Sequence, residues 1–183
     1  ETRQLATPAI LALHSTGDPG KKIVDGQTEL ENRAVARELA ARGYVVLAPD
    51  YPSFGDLKDH DFKTDGFESA SMLAIWNHMR GIDLLQTFPQ VDGNRIGVIG
   101  HSLGGHNALF VGVFDERIQV TVSSCGWTPF DYYNIGEEAS KRYGGRLGPW
   151  AQDRYMPKIR DYMPDDRLPF DFTDIISVLA PRA

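Results

Sequence analysis

The feature that most constrains this chain is the pentapeptide Gly100-His101-Ser102-Leu103-Gly104. A short apolar run at residues 96–99 precedes it, and an apolar segment with helical spacing follows it to about Phe114. A strand, a sharp turn and a helix in that order are the context in which Gly-x-Ser-x-Gly becomes a nucleophile elbow. Glycines are needed because side chains beside so tight a turn would collide with the strand and the helix. We therefore predict that Ser102 has a strained backbone and presents its hydroxyl at a helix N-terminus.

Attack by that hydroxyl on a carbonyl carbon would create an oxyanion, which backbone N–H groups can stabilise. Leu103 begins the predicted helix, and its N–H is the first candidate donor. The second donor of such a site comes from the loop after an earlier strand, where Ser15 and Thr16 are the candidates. The simpler alternative is a glycine-rich turn whose serine only caps the helix. The strand and helix patterns on either side of Ser102 favour the catalytic interpretation.

Apolar runs alternate with segments of helical spacing over the first two thirds of the chain. The predicted strands cover residues 8–14, 44–48, 96–99 and 118–124. Capping patterns predict helix starts at Thr28 with Glu31 and at Asp65 with Glu68, and Asp92-Gly93 predicts a tight turn before the third strand. The alternation predicts an α/β fold, with an open, doubly wound, mostly parallel sheet and helices on both faces. Ligands of such sheets bind at the carboxyl ends of the strands. Four polar residues are predicted to lie there: His14, Asp50, Ser102 and Ser124.

The composition changes after Gly126. Residues 127–170 contain nine of the nineteen aromatic residues and five of the eleven prolines, with no clear period. A long irregular connection of this kind predicts a lid or binding wall, and a surface excursion that packs its own aromatic rings is the alternative. A short amphipathic helix is predicted at residues 171–179. We expect residues 1–183 to form a single domain that carries residues 127–170 as a lid-like insert.

Charge and composition argue against several classes of partner. The formal net charge is −6 and basic residues are not clustered, which disfavours nucleic acid and anionic membranes. No apolar run reaches the length of a membrane span. The histidines lack metal-ligand spacing, so we expect no metal and no cofactor. Cys125 is the only cysteine, which excludes an internal disulfide, and we expect a small buried thiol. The cellular compartment is left open.

The chain resembles the α/β-hydrolase superfamily over residues 8–126. Within that superfamily it resembles the dienelactone hydrolase and prolyl-oligopeptidase-like esterases, a group that includes acetyl xylan esterase-like proteins. The matching residues are Leu11-Ala12-Leu13-His14-Ser15-Thr16 with Gly20-Lys21, Gly43-Tyr44-Val45-Val46-Leu47-Ala48-Pro49-Asp50-Tyr51, and Asp92-Gly93-Asn94-Arg95-Ile96-Gly97 leading into the elbow. The resemblance implies a serine hydrolase that cleaves small carboxylic esters through an acyl-enzyme on Ser102. A peptidase or thioesterase of the same fold, or a non-catalytic binding scaffold, is the alternative.

The chain departs from this superfamily in one respect. The acid and the histidine base normally follow the nucleophile, yet the five histidines are His14, His60, His78, His101 and His106. The resemblance therefore implies a fold that is incomplete at the C-terminus, and we favour a fragment over a compact variant or a silent relative.

Two residues of the chain are candidates for a substitute base or acid. His14 is the candidate base, although a hydrogen bond that fixes the neighbouring loop is the simpler role for it. Asp131 is the candidate acid. An incomplete sheet would also expose an edge strand, which predicts self-association or poor solubility.

Overall fold

The computed structural model describes residues 6–183, and four strands form one sheet there in the order β2-β1-β3-β4. The strands are β1 (Thr7–Leu13), β2 (Val45–Leu47), β3 (Val91–His101) and β4 (Ile118–Ser124). The helices are α1 (Val35–Ala41), α2 (Ala70–Thr87), α3 (Leu103–Phe114), α4 (Glu137–Tyr143) and α5 (Phe172–Leu179). All three strand pairs are parallel, which confirms the predicted α/β fold.

Side chains of β1 alternate between two apolar layers. Leu11 and Leu13 are fully buried and pack in one cluster with Ile82 of α2 and Val111 of α3. Ala12 points to the opposite face, where it packs in a cluster with Ala36 of α1. Helices therefore cover both faces of the sheet, as the alternation of apolar runs predicted.

Two predicted helix starts are wrong. Thr28 accepts a hydrogen bond from the Leu30 N–H at 3.4 Å, and helix α1 begins only at Val35. Helix α2 is capped by Ser69, whose side chain accepts from the Met72 N–H at 3.1 Å. Short polar side chains bond to whichever backbone groups lie nearest, so a capping pattern in the sequence does not ensure a helix.

The predicted turn at Asp92-Gly93 is also displaced. Strand β3 already pairs at Val91 with Thr7, and the next pair is Ala9 with Ile96, so β3 gains three residues over β1 between the two pairs. Asp92 accepts a hydrogen bond from the Asn94 N–H at 3.0 Å. Asp92-Gly93 is therefore an irregularity inside the strand and not a turn before it.

Strand β4 lies at one edge of the sheet. Val120 and Val122 on it are 46% and 43% exposed. Its Thr121 N–H donates to the Ala183 carbonyl at 2.7 Å, and the Arg182 guanidinium donates to the carbonyl of Gly112 at 2.7 Å. The last residues described therefore run beside β4. In residues 6–183, no helix combines the length and the apolar character that crossing a membrane requires.

Residues 127–170, which we call the aromatic segment, pack on α3 and α5. A single apolar cluster joins segment residues to Leu109 of α3 and Phe172 of α5. The segment residues in that cluster include Phe130, Leu147, Ala151 and Ile159. The segment thus buries some of its own aromatic and aliphatic side chains against α3 and α5. Its other residues can line a site beside the elbow.

Candidate active site

Ser102 lies at the junction between β3 and α3. Strand β3 ends at His101, α3 begins at Leu103, and Ser102 between them has φ 54° and ψ −119°. This conformation is disfavoured for a residue with a side chain, by about 1–3 kcal/mol. The surrounding structure holds it, because the Ser102 N–H donates to the Ser124 carbonyl at 2.8 Å and its carbonyl accepts from the His106 N–H at 2.9 Å.

The glycines on either side of Ser102 are required by close backbone contacts. A Cβ on Gly100 would lie 2.2 Å from the Gly104 carbonyl oxygen, and a Cβ on Gly104 would lie 2.2 Å from the Leu13 carbonyl oxygen. Neither neighbour can move without shifting the sheet or the helix. The turn therefore has the geometry of the predicted nucleophile elbow.

Ser102 lines a cavity of about 310 Å³. We call it the Ser102 cavity, and it has polar and aromatic walls. Its lining residues are Thr16, Ser102, Leu103, Tyr133, Tyr143, Pro149, Trp150, Gln152, Arg154 and Tyr155. The elbow and the loop after β1 form one side, and the aromatic segment forms the rest.

Two of the three predicted oxyanion donors lie at this cavity. Leu103 is the first residue of the twelve-residue helix α3, where the backbone N–H groups have no partner within the helix. Within residues 6–183, neither the Leu103 N–H nor the Thr16 N–H donates to a backbone carbonyl. Both can therefore serve an anion placed beside Ser102.

The structure places Ser15 elsewhere. Its carbonyl accepts a hydrogen bond from the His14 ring at 2.7 Å, and Ser15 lines a different cavity of about 180 Å³ together with Arg33 and His101. Of the two neighbouring loop residues, the structure brings Thr16 to the Ser102 cavity.

Asp50, three residues after the end of β2, holds the loop after β1. Its carboxylate accepts hydrogen bonds from the Lys21 N–H at 2.7 Å, from Lys21 Nζ at 2.6 Å and from the Asp56 N–H at 3.0 Å. Burial opposes ionisation of the carboxyl, but these donors outweigh it and lower the pKa of Asp50. Gly20 and Gly55 pass so close that a Cβ on either would lie 2.1 Å from the carboxylate. Asp50 therefore ties together the loops that follow β1 and β2.

The structure does not bring the candidate base His14 to Ser102. The ring is fully buried and stacks on Tyr51 with 3.8 Å between ring centres, and the Tyr51 hydroxyl donates to the His14 carbonyl. Burial lowers the pKa of His14, although the bond to the Ser15 carbonyl and nearby Asp50 act in the other direction. This arrangement fits the simpler role of fixing the loop after β1.

Asp131, the candidate acid, does not line the Ser102 cavity. It is exposed and lines a cavity with Arg146 and Asp171, where none of the described residues is a histidine. The short turn Phe130–Tyr132 carries it, and it lines a cavity separate from that of Ser102.

The other histidines and Cys125 do not line the Ser102 cavity either. His106 is buried against Trp150, and burial lowers its pKa to about 4. Burial likewise lowers the pKa of His78 to about 3. The His101 ring contacts the Ser124 hydroxyl at 3.1 Å. Cys125 is exposed at the end of β4, so the expectation of a buried thiol is wrong.

Residues of the aromatic segment were not individually predicted for this site. Trp150 and the tyrosines 133, 143 and 155 supply its rings, and Gln152 and Arg154 supply its polar groups. The concentration of aromatic residues after Gly126 was the available signal, but without periodicity it could not assign side chains to the cavity. Among residues 6–183, no three His, Cys, Asp or Glu side chains are grouped to hold a metal ion.

Comparisons with known proteins identify similar sequences and structures. The family model described as "Glucuronyl esterase, fungi" matches residues 62–183. The Bacillus subtilis protein YtaP is 34% identical over 185 residues, covering 96% of this chain and 57% of YtaP. The 4-O-methyl-glucuronoyl methylesterase of Hypocrea jecorina is 30% identical over 143 residues, covering 71% of this chain and 30% of that enzyme.

The fold is shared with solved structures. A carbohydrate esterase family 15 glucuronoyl esterase from Caldicellulosiruptor kristjansonii aligns with a TM-score of 0.63 and 24% identity, covering 98% of this chain and 52% of that one. The predicted resemblance to esterases of the α/β-hydrolase fold is confirmed. The chain spans about half the length of YtaP and of this structure.

Proposed function

The chain belongs to the glucuronyl esterase family, and from that membership we propose that it carries the nucleophile and oxyanion site of a serine carboxylesterase. One observation carries the proposal. Ser102 has its strained φ of 54° at the N-terminus of α3, beside a cavity that Leu103 and Thr16 also line. Family membership favours ester hydrolysis over the peptidase, thioesterase and scaffold alternatives.

The proposed reaction has two steps. The Ser102 hydroxyl attacks the ester carbonyl and loses its proton to a base, and the carbonyl oxygen becomes an oxyanion that accepts from the Leu103 and Thr16 N–H groups. The C–O bond to the alcohol then breaks, the alcohol leaves with a proton, and water hydrolyses the acyl-enzyme. Each oxyanion donor is worth about 3 kcal/mol in enzymes of this type.

The base and the acid are not assigned to residues of this chain. None of the five histidines lines the Ser102 cavity in the part that the structure describes. The relatives are longer than the matched region. We therefore place the base and its orienting carboxylate outside residues 1–183.

The walls of the cavity suit a sugar ring. Trp150 and Tyr143 offer flat apolar surfaces, and Gln152 and Arg154 offer hydrogen-bond donors for hydroxyl groups. The Hypocrea jecorina relative is a 4-O-methyl-glucuronoyl methylesterase. We therefore propose an ester of a hexuronic acid as the substrate class.

Hydrolysis of a glucuronic acid methyl ester by the full-length protein tests this function. We expect turnover that Ser102→Ala lowers by about a thousandfold or more and that Ser177→Ala, an exposed serine of α5, leaves unchanged. If the sugar ring is recognised, the kcat/KM for the glucuronic acid methyl ester should be at least tenfold higher than that for methyl acetate. Equal turnover by Ser102→Ala and the unmodified protein would contradict the nucleophile, and equal kcat/KM for the two esters would contradict the substrate class.

Strand β4 supports a second, separate proposal about partners. Val120 and Val122 stay exposed at this edge of the sheet although Arg182 and Ala183 run beside β4, and this favours self-association of the chain through the strand. Light scattering should detect dimers or larger species, and Val120→Lys should reduce them. A monomer at all concentrations tested would refute this proposal.

A further inference from the structure

Tyr155 lies between the Ser102 cavity and a second, apolar cavity. It lines both, and the second has a volume of about 410 Å³ with Met72, Trp76 and Phe110 among its walls. Tyr155 itself is only 8% exposed. Its hydroxyl oxygen lies 3.1 Å from Thr16 Oγ1, and within residues 6–183 this is the hydrogen bond that joins the aromatic segment to the loop carrying Thr16.

The Tyr155 ring is held from several sides. Its backbone N–H donates to the Gln152 carbonyl at 2.8 Å. The ring meets Trp150 edge-on with 5.9 Å between centres, and the Arg154 guanidinium lies 5.1 Å from its centre. It also packs in the apolar cluster that contains Leu103, the first oxyanion donor. A hydroxyl on so constrained a ring is a fixed anchor for whatever it bonds.

Thr16 needs such an anchor. Loop residues on either side of Thr16 are held by other elements: the Tyr51 hydroxyl donates to the His14 carbonyl, and the Asp18 carbonyl accepts from the Gly55 N–H at 3.1 Å. Within residues 6–183, the bond to Tyr155 is the hydrogen bond that Thr16 itself makes. An oxyanion donor must be held to within about 0.5 Å of its working position to be effective.

We propose that Tyr155 is a positioning residue whose hydroxyl holds Thr16 so that the Thr16 backbone N–H points at the oxyanion. This inference rests on the proposed function and adds a role for the aromatic segment in it. Because the hydrogen bond acts on the donor and not on the substrate, its loss should slow the chemical step and leave substrate binding unchanged.

A double-mutant cycle between Tyr155→Phe and Thr16→Val tests the proposal in the full-length protein. Each single change should lower kcat about tenfold with KM within about twofold. Because both remove the same hydrogen bond, the double variant should be no slower than either single one. Thr16→Ser keeps the hydroxyl and should lose less than Thr16→Val. Tyr132 of the same segment is 81% exposed, so Tyr132→Phe is the control and should have the kcat and KM of the unmodified protein.

The rate at which a fluorophosphonate labels Ser102 gives a second readout, because its P=O oxygen needs the same donors. We expect Tyr155→Phe to slow labelling as much as it slows kcat. Effects that multiply in the double variant, a rise in KM alone, or a Tyr155→Phe variant with unmodified rates would overturn the positioning role. Absence of both turnover and labelling in the unmodified protein would instead refute the proposed function, and the positioning role with it. If either Tyr155→Phe or Thr16→Val does not fold, the other single variant still removes this hydrogen bond, and its kcat still tests the proposal.

Discussion

Replacing Asp50 with alanine is expected to destabilise the fold by about 4 kcal/mol, because two backbone N–H groups lose a charged acceptor. The carboxylate side chain is 5% exposed and accepts from the backbone N–H groups of Lys21 and Asp56 at 2.7 and 3.0 Å. Each bond to a charged acceptor is worth about 1.5–3 kcal/mol. The ion pair with Lys21 adds little, because the Lys21 side chain is 39% exposed and screened by water.

Two further variants separate the contributions. Asp50→Asn keeps the shape and one acceptor oxygen, and should cost about 2 kcal/mol. Lys21→Met removes the ion pair but keeps the backbone N–H, and should cost less than about 1 kcal/mol. Urea unfolding followed by circular dichroism measures all three free energies. A loss for Lys21→Met equal to that for Asp50→Ala would refute the reasoning that the backbone bonds dominate.

Comparing the unmodified protein with Asp50→Asn at several pH values gives a second test. The pKa of Asp50 is lowered on folding, so its charge stabilises the fold above the ordinary value of 3.8 and this contribution is lost as the pH falls below that value. The free-energy difference between the unmodified protein and Asp50→Asn should therefore be constant near pH 6 and shrink below about pH 4. A difference that does not change with pH would contradict the role of the charged carboxylate.

Four other substitutions have clear expected outcomes. Gly104→Ala should lower the free energy of unfolding by at least about 3 kcal/mol and abolish ester hydrolysis, because its Cβ would lie 2.2 Å from a backbone oxygen. Gly66 has φ 80° but open space around it, so Gly66→Ala should cost only about 1–2 kcal/mol. Urea unfolding measures both values. Folding lowers the pKa of His106 from 6.5 to about 4, so between these pH values the unfolded chain binds a proton more readily than the folded one. The free energy of unfolding should therefore fall by up to about 3 kcal/mol from pH 7 to pH 4. His106→Phe should remove this part of the pH dependence. Ser69→Ala should cost about 1 kcal/mol through loss of the α2 cap, and a change below about 0.2 kcal/mol would argue against that cap.

The parts of the fold that follow from local sequence were predicted well. The elbow depends on glycines on either side of Ser102, and the strand and helix patterns around it are strong. The four predicted strands are also present, in one parallel sheet. The helix starts at Thr28 and Asp65 were not correct, because a polar side chain can satisfy several nearby backbone groups and only tertiary packing selects one.

The composition of the site was predicted less completely. Ser15 and Thr16 are adjacent, and no sequence pattern shows which of them turns toward Ser102. The walls of the Ser102 cavity come from an aromatic segment without periodicity, so residues such as Trp150 and Tyr155 could be placed only in three dimensions. Cys125 follows an apolar strand, but that strand lies at the sheet edge, which exposes the thiol.

The reactivity of Ser102 is the central claim, and covalent labelling of the full-length protein measures it most directly. A fluorophosphonate probe followed by peptide mass spectrometry should add one phosphonyl group, located on Ser102 and absent in Ser102→Ala. Labelling of Ser102→Ala to the same extent as the unmodified protein would contradict the account.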